Sequence, residues 1–137
     1  MRYPERRTMV RSLLIVDDEP NFLKMLDLIL SKEGFRVTVA EDGFQAIDYA
    51  DQEPFDIAIL DIRMHPMNGV ALLKEFKRRW PDTQVIVTSA YPSANSRDEC
   101  MELGASEYLT KPFEISELKA VLRHLTAPEM RAPRVTG

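Results

Sequence analysis

Short apolar runs alternate with amphipathic stretches along most of this chain. Residues 13–16 and 57–60 are continuous apolar runs, as expected for strands that are buried on both faces of a parallel sheet. Between these runs, residues 22–30 carry apolar side chains three and four positions apart, which predicts an amphipathic helix that ends at Gly34. Residues 35–39 alternate apolar and polar side chains, which predicts a strand with one exposed face near a sheet edge.

The same alternation continues to about residue 125. It predicts further helices over about residues 43–50, 70–80, 93–103 and 115–125, and further strands at residues 85–87 and 107–109. Five strand–helix repeats indicate an α/β fold in which a parallel sheet has helices on both faces. We expect residues 1–11 to form an N-terminal arm, residues 12–125 to form one domain, and residues 126–137 to form a C-terminal tail or the start of a linker.

Composition narrows the class of protein. Of 137 residues, 45% are hydrophobic and 29% are charged, and the net charge of −4 gives no general attraction to nucleic acid. No apolar run is long enough to span a bilayer, and the charged N-terminus lacks the apolar core of a signal peptide. A single cysteine excludes an internal disulfide and a cysteine-based metal site. We therefore expect a cytoplasmic protein without direct nucleic-acid or membrane binding.

Polar side chains follow the predicted strands at the point where each strand ends. Asp17 and Asp18 follow the first strand, Asp61 ends the third, Ser89 ends the fourth and Lys111 follows the fifth. Because the carboxyl ends of parallel strands meet at one edge of a sheet, we expect these side chains to lie close together. Clustered carboxylates stay ionised only beside a cation, and oxygen ligands without histidine or cysteine suit Mg²⁺. A carboxylate can also attack phosphorus, so this cluster predicts a phosphoryl-accepting site.

Four segments of the sequence resemble the receiver domain of response regulators in two-component signalling. They are residues 14–19, Asp61 with Gly69 eight positions later, residues 85–90 and residues 108–113. The resemblance covers about residues 12–125 and implies a doubly wound, flavodoxin-like, five-stranded parallel sheet of order 2-1-3-4-5. It also implies a signalling switch that catalyses only its own phosphorylation and dephosphorylation, rather than a conventional enzyme.

The resemblance implies a role for each acidic residue. Asp61 would be the phosphoacceptor, and the phosphoryl group would come from a phosphohistidine of a sensor histidine kinase or a phosphotransfer protein. Mg²⁺ would be bound by Asp17, Asp18 and Asp61, together with the backbone carbonyl of Arg63. An output partner or domain would respond to the modification. A homodimer through the fourth helix, fifth strand and fifth helix is a further option that the resemblance offers.

The resemblance also implies roles at the ends of the fourth and fifth strands. Lys111 would pair with the phosphoryl group, and Pro112 would follow a cis peptide bond. The hydroxyl of Ser89 and the ring of Tyr108 would form the switch that shifts the surface of the fourth helix, fifth strand and fifth helix. Alignment of the small residue that follows favours Ser89 over Thr88 as the switch hydroxyl, and strand alternation then directs Thr88 to the opposite face.

One departure from the family pattern lies in the loop after Asp61. The family usually has proline four positions after the phosphoacceptor, but here that position is His65 and proline follows as Pro66. This departure motivates an alternative, a phosphate-independent binding module of the same fold. A hydrolase of related architecture is a third hypothesis, which is disfavoured because Arg63 stands where such enzymes need a second carboxylate. In the family, the positions two after the phosphoacceptor and two after the switch hydroxyl tune how fast the phosphoryl group is lost, so the resemblance implies that bulky Arg63 and Tyr91 give a long-lived phosphorylated state.

Overall fold

Five strands alternate with five helices in this computed structural model, which describes residues 10–90 and 94–127. Strands β1 to β5 span Ser12–Val16, Arg36–Ala40, Ile57–Asp61, Gln84–Ser89 and Glu107–Thr110. Helices α1 to α5 span Pro20–Lys32, Gly43–Gln52, Gly69–Arg79, Ala94–Glu102 and Ile115–Thr126. The predicted succession of elements is confirmed. Most of the predicted arm and tail, residues 1–9 and 128–137, lies outside the described residues.

The strands form one parallel sheet in the order β2-β1-β3-β4-β5. The predicted doubly wound fold is therefore confirmed. The chain moves from β1 to β2 on one side and then crosses to β3 on the other side, so the strand order reverses between β1 and β3. In open α/β sheets, ligands bind at the carboxyl ends of the strands that flank such a reversal. The fold thus brings the ends of β1 and β3 together at the expected position of a site.

Alternating residues of the central strands are buried on opposite faces of the sheet. Leu60 and Val87 belong to a core that includes Phe76 of α3. Ile59 and Ile86 belong to the other core, which includes leucines of α1 and α5. Because both faces are covered, the strands read as continuous apolar runs, and this explains why their sequence pattern is so clear.

The edge strand and the end of α1 also agree with the sequence. β2 pairs with β1 and has exposed or half-buried residues along most of its length, as the alternating pattern predicts. Gly34 follows α1 with a φ of 104°, a left-handed conformation that favours glycine at the end of a helix. None of the helices in the described ranges is long and apolar enough to cross a membrane.

Candidate phosphoryl-accepting site

Three carboxylates meet at the carboxyl edge of the sheet. One oxygen from each of Asp17, Asp18 and Asp61 lies within 4.8 Å of the others. Asp17 and Asp61 are buried, with 1% and 5% of their surface exposed, whereas Asp18 is exposed. Val16 and Leu60 are partners in the β1–β3 register, so the residue that follows each of them emerges at the same edge. The predicted convergence of the acids is confirmed.

Lys111 brings a cation to this cluster. Its Nζ atom lies 2.7 Å from Oδ2 of Asp17 and 3.6 Å from Oδ2 of Asp61. The ammonium also lies 4.4 Å from the ring centroid of Phe22 on α1, within the range of a cation–π contact. The peptide bond between Lys111 and Pro112 is cis, as the resemblance predicts. The structure therefore brings Lys111 to the acids, as the sequence predicts.

Asp61 is in an environment that disfavours its charged form. Burial raises the pKa of the Asp61 carboxyl above its ordinary value, and the nearby carboxylates of Asp17 and Asp18 raise it further. Two groups act in the opposite direction, namely the Lys111 ammonium and the backbone N–H of Arg63, which donates to Oδ1 of Asp61 over 3.1 Å. The upward shift of the pKa remains in spite of both, because burial is its largest cause.

The donor set fits a small hard cation. It consists of carboxylate oxygens without histidine or cysteine, and two of the three carboxylates are buried. The separations of up to 4.8 Å are comparable with the span of one octahedral Mg²⁺ shell, where opposite oxygens lie about 4 Å apart. The role of the Arg63 backbone carbonyl as a Mg²⁺ ligand stays a prediction.

The loop between β3 and α3 is held close to Asp61. A Cβ atom on Gly69 would collide with the backbone carbonyl oxygen of Asp61, so this close approach requires glycine. The backbone N–H of Gly69 donates to the carbonyl of Ile62 over 3.0 Å. The Asn68 side chain caps α3 by accepting from the N–H of Ala71 over 2.9 Å. These contacts fix the path of the loop from Asp61 to α3.

The same loop contains the departure from the family pattern. The peptide bond between His65 and Pro66 is cis, a feature that was not predicted from the sequence. Met64, which precedes it, is buried in the core on the side of α3. Tyr91, the second bulky residue that was expected to slow hydrolysis, lies outside the described residues. The long lifetime of the phosphorylated state therefore stays a prediction.

The two proposed switch residues lie on one face of the sheet. Tyr108 pairs with Val87 in the β4–β5 register, and Ser89 follows Val87 by two positions, which directs both side chains to the core beneath α2, α3 and α4. Ser89 is fully buried and Tyr108 is 4% exposed. The Tyr108 hydroxyl lies 3.0 Å from Oγ of Ser96, and the Arg97 guanidinium lies over its ring. This contact with α4 was not predicted from the sequence.

Thr88, the alternative switch hydroxyl, has a different neighbour. It pairs with Asp61 in the β3–β4 register and with Leu109 in the β4–β5 register. Alternation along β4 directs it to the face of Ile86, opposite to Ser89, as expected from the sequence. Its side chain is buried, with 1% exposed.

Comparison with known proteins identifies the family. The model of the response regulator receiver domain matches residues 13–123. The chain belongs to this family. Among its relatives, the transcriptional regulatory protein ZraR of Escherichia coli K12 is 34% identical over 129 residues, which cover 91% of this chain and 29% of that protein. The transcriptional activator protein PfeR of Pseudomonas aeruginosa is 39% identical over 108 residues, which cover 79% of this chain and 35% of that protein.

Solved receiver structures share the fold. The chemotaxis protein CheY4 of Vibrio cholerae matches with a TM-score of 0.81 at 27% identity, covering 85% of this chain and 99% of that chain. The response regulator TrrA of Thermotoga maritima, solved in complex with Mg²⁺–BeF, matches with a TM-score of 0.76 at 32% identity. The match covers 85% of this chain and 99% of that chain. The receiver described here spans about a third of the length of ZraR and PfeR.

Proposed function

We propose that this receiver is a phosphorylation-dependent switch in which Asp61 accepts a phosphoryl group from a phosphohistidine. The observation that supports it most directly is the position of Asp61, a buried carboxylate with the Lys111 ammonium 3.6 Å away and two further carboxylates beside it. Phosphoryl transfer depends mainly on positioning and charge neutralisation, and this arrangement offers both. The Mg²⁺–BeF complex of the similar receiver TrrA also supports the proposal.

The proposed transfer is a displacement at phosphorus. A carboxylate oxygen of Asp61 forms a new bond to phosphorus while the bond from phosphorus to the donor imidazole nitrogen breaks, and its electron pair returns to that nitrogen. The Lys111 ammonium and the Ser89 hydroxyl compensate the charge on the phosphoryl oxygens. Mg²⁺, held by Asp17, Asp18, Asp61 and the Arg63 carbonyl, would supply further charge neutralisation. We propose no enzymatic activity beyond this self-phosphorylation and the receiver's own dephosphorylation.

An apolar groove next to the site is suited to the phosphate donor. Phe22 and Met25 of α1 face Pro112, Phe113 and Ile115 across it. Lys111 lies at its border, so a partner in the groove would reach the acidic site directly. Apolar grooves of this kind accommodate an apolar helix face of a partner protein. We propose that a sensor histidine kinase or a phosphotransfer protein docks here.

We propose that the output leaves through α4, β5 and α5. The Tyr108 ring on β5 is linked to α4 by the hydroxyl contact with Ser96. Movement of the neighbouring Ser89 hydroxyl toward a phosphoryl group would change the space around this ring. An output partner or domain, or a second copy of the receiver, would bind the surface that results. Phosphorylation would then change the relative populations of two arrangements of this surface.

Intact mass after incubation with acetyl phosphate tests the proposal. We expect one phosphoryl adduct on the wild-type protein in the presence of Mg²⁺ and none after chelation of the metal. Asp61→Asn is expected to abolish the adduct. Asp82→Asn, at an exposed position outside the site, should leave it unchanged. A folded wild-type protein that forms no adduct would contradict the proposal and favour the phosphate-independent binding module.

A further inference from the structure

Thr88 carries a buried hydroxyl that lacks a hydrogen-bond partner. Its Oγ1 atom has none within the part of the chain that the structure describes, although the residue is 1% exposed. Buried polar side chains are ordinarily hydrogen-bonded, because an unpaired group loses its contact with water without compensation. Thr83, another buried threonine, shows the ordinary case, since its hydroxyl donates to the backbone carbonyl of Phe55 over 2.7 Å. The unpaired hydroxyl of Thr88 therefore needs a specific explanation.

The register of the sheet directs Thr88 to the phosphoacceptor. Thr88 and Asp61 are partners in the β3–β4 pairing. Ile59 and Ile86, two positions earlier on the same strands, both face the core beneath α1 and α5. Because side chains alternate along a strand, Asp61 and Thr88 also share a face, on backbones that lie about 4.8 Å apart. A hydroxyl on Thr88 is thus a lateral neighbour of the Asp61 side chain.

Lys111 covers this pair. β4 lies between β5 and β3 in the sheet, and the Lys111 ammonium reaches past β4 to the carboxylates of Asp17 and Asp61. Its contact with the Phe22 ring shows that it runs on the α1 face, the face of Thr88. Lys111 therefore crosses β4 on the same face as Thr88, whose side chain is buried. The hydroxyl is enclosed beside the atoms that the proposed reaction changes.

We propose that Thr88 is a positioning residue for the phosphorylated state, an inference that rests on the proposed function of Asp61. Its hydroxyl is unpaired in the unmodified receiver and donates to an oxygen of the Asp61 side chain once that side chain carries the phosphoryl group. Ser89 would approach the phosphoryl group from the opposite face of β4, so the two adjacent hydroxyls have separate roles. The hydroxyl of Thr88 then stabilises the modified form relative to the unmodified form, and this shifts the equilibrium between them.

The test uses beryllium fluoride with Mg²⁺ as a probe that mimics a phosphoryl group on a carboxylate. Its affinity is measured by calorimetric titration on the wild type, Thr88→Val, Thr88→Ser and the matched control Thr83→Val. We expect Thr88→Val to weaken the affinity by about five- to tenfold, the effect of one ordinary hydrogen bond. Thr88→Ser keeps the hydroxyl and should remain within about twofold of the wild type. Thr83→Val should bind the probe as the wild type does.

Melting temperatures measured without the probe should rank Thr88→Val and Thr83→Val in the opposite order to their affinities for the probe. Thr88→Val removes an unpaired buried hydroxyl, so we expect its melting temperature to equal or exceed that of the wild type. Thr83→Val leaves the Phe55 carbonyl without its donor and should melt at a lower temperature. A substitution that harms packing alone would lower stability and affinity together, whereas Thr88→Val is expected to lower affinity alone.

The outcomes separate this inference from the proposed function. Wild-type affinity in Thr88→Val, or an equal loss in Thr88→Val and Thr88→Ser, would overturn the role of the hydroxyl while Asp61 remains the acceptor. A wild-type protein that binds no probe in the presence of Mg²⁺ would overturn both. Loss in Thr88→Val with retention in Thr88→Ser supports the inference.

Discussion

The Lys111 ammonium lies closer to Asp17, at 2.7 Å, than to Asp61, at 3.6 Å. In the unmodified receiver the lysine is thus paired mainly with an acid that is proposed to bind metal, and less closely with the proposed phosphoacceptor. A divalent cation on Asp17 would compete with this ion pair and weaken it. We therefore expect Mg²⁺ and Lys111 to compete for Asp17 before phosphorylation. After phosphorylation, both would compensate the charge of the phosphoryl group.

Lys111→Met tests this opposition. Because the substitution removes a positive charge next to the acids, we expect Mg²⁺ to bind about three- to tenfold more tightly. The extent of phosphorylation by acetyl phosphate should nevertheless fall by at least about tenfold, because the phosphoryl oxygens lose a cation. Calorimetric titration with Mg²⁺ and intact mass give the two readouts. Lys119→Met is the control, since Lys119 pairs with Glu33 on the surface. Unchanged or weaker Mg²⁺ binding in Lys111→Met would contradict the expectation.

Asp61→Asn is expected to stabilise the metal-free receiver at neutral pH. The folded state raises the pKa of Asp61, so the charged carboxylate is held less favourably in the folded chain than in the unfolded one. This destabilisation is fully present above the folded-state pKa and disappears as the pH falls below the ordinary pKa of aspartate. We expect a rise in melting temperature of roughly 2–5 °C at pH 7 in a chelator.

Two conditions should reduce the gain from Asp61→Asn. The rise in melting temperature should shrink as the pH falls into the acidic range, where the wild-type carboxyl becomes protonated. It should also shrink on addition of Mg²⁺, because the cation compensates the carboxylate in the wild type. Thermal unfolding across pH, with Asp82→Asn as an exposed control, gives the comparison. An Asp61→Asn variant that melts below the wild type at pH 7 without metal would be inconsistent with the pKa shift.

The contact between Tyr108 and Ser96 is expected to couple β5 to α4. Tyr108→Phe and Ser96→Ala each remove one partner of the 3.0 Å hydroxyl pair, so each should lower the free energy of unfolding by about 1 kcal/mol. The double variant should lose much less than the sum, because both changes remove the same interaction. Urea unfolding of the four proteins measures this coupling. Additive losses would show that the two hydroxyls act independently.

Gly69→Ala is expected to damage the site through the backbone. The new methyl group would collide with the carbonyl oxygen of Asp61 and with Cα of Ile62, so a loss of about 3 kcal/mol or more in unfolding free energy is expected. Gly34→Ala is the matched control. It faces open space but has a positive φ, so it should cost only about 1 kcal/mol and leave phosphorylation unchanged. Similar losses for the two variants in urea unfolding would contradict the close approach at Gly69.

Some features were accessible from the sequence because local patterns determine them. The apolar runs before Asp17 and Asp61 predicted two buried strands, and parallel strands bring their carboxyl ends to one edge, so the acidic cluster followed. Other features depend on packing between distant elements. In α4, for example, the adjacent apolar residues Cys100 and Met101 differ in environment, since Cys100 is buried and Met101 is 38% exposed. Spacing alone gave no signal that Ser96 would meet Tyr108.

Thr88 shows, at the candidate site itself, what local sequence patterns cannot predict. Strand alternation correctly separated its direction from that of Ser89. The missing hydrogen-bond partner depends on the register of β3 against β4, on the path of Lys111 across β4 and on the groups packed above them. None of these is a property of a local stretch of sequence, so the unpaired hydroxyl became visible only in three dimensions.

The central claim is that Asp61 carries the phosphoryl group, and localisation of the modification tests it most directly. The receiver is incubated with Mg²⁺ and phosphoramidate, whose phosphorus–nitrogen bond resembles that of phosphohistidine, and is then reduced with borohydride, which converts an aspartyl phosphate to homoserine. Peptide mass spectrometry is expected to find homoserine at position 61 and nowhere else, and none when the metal is chelated. Phosphorylation of a different residue, or a folded protein without any homoserine, would contradict the claim.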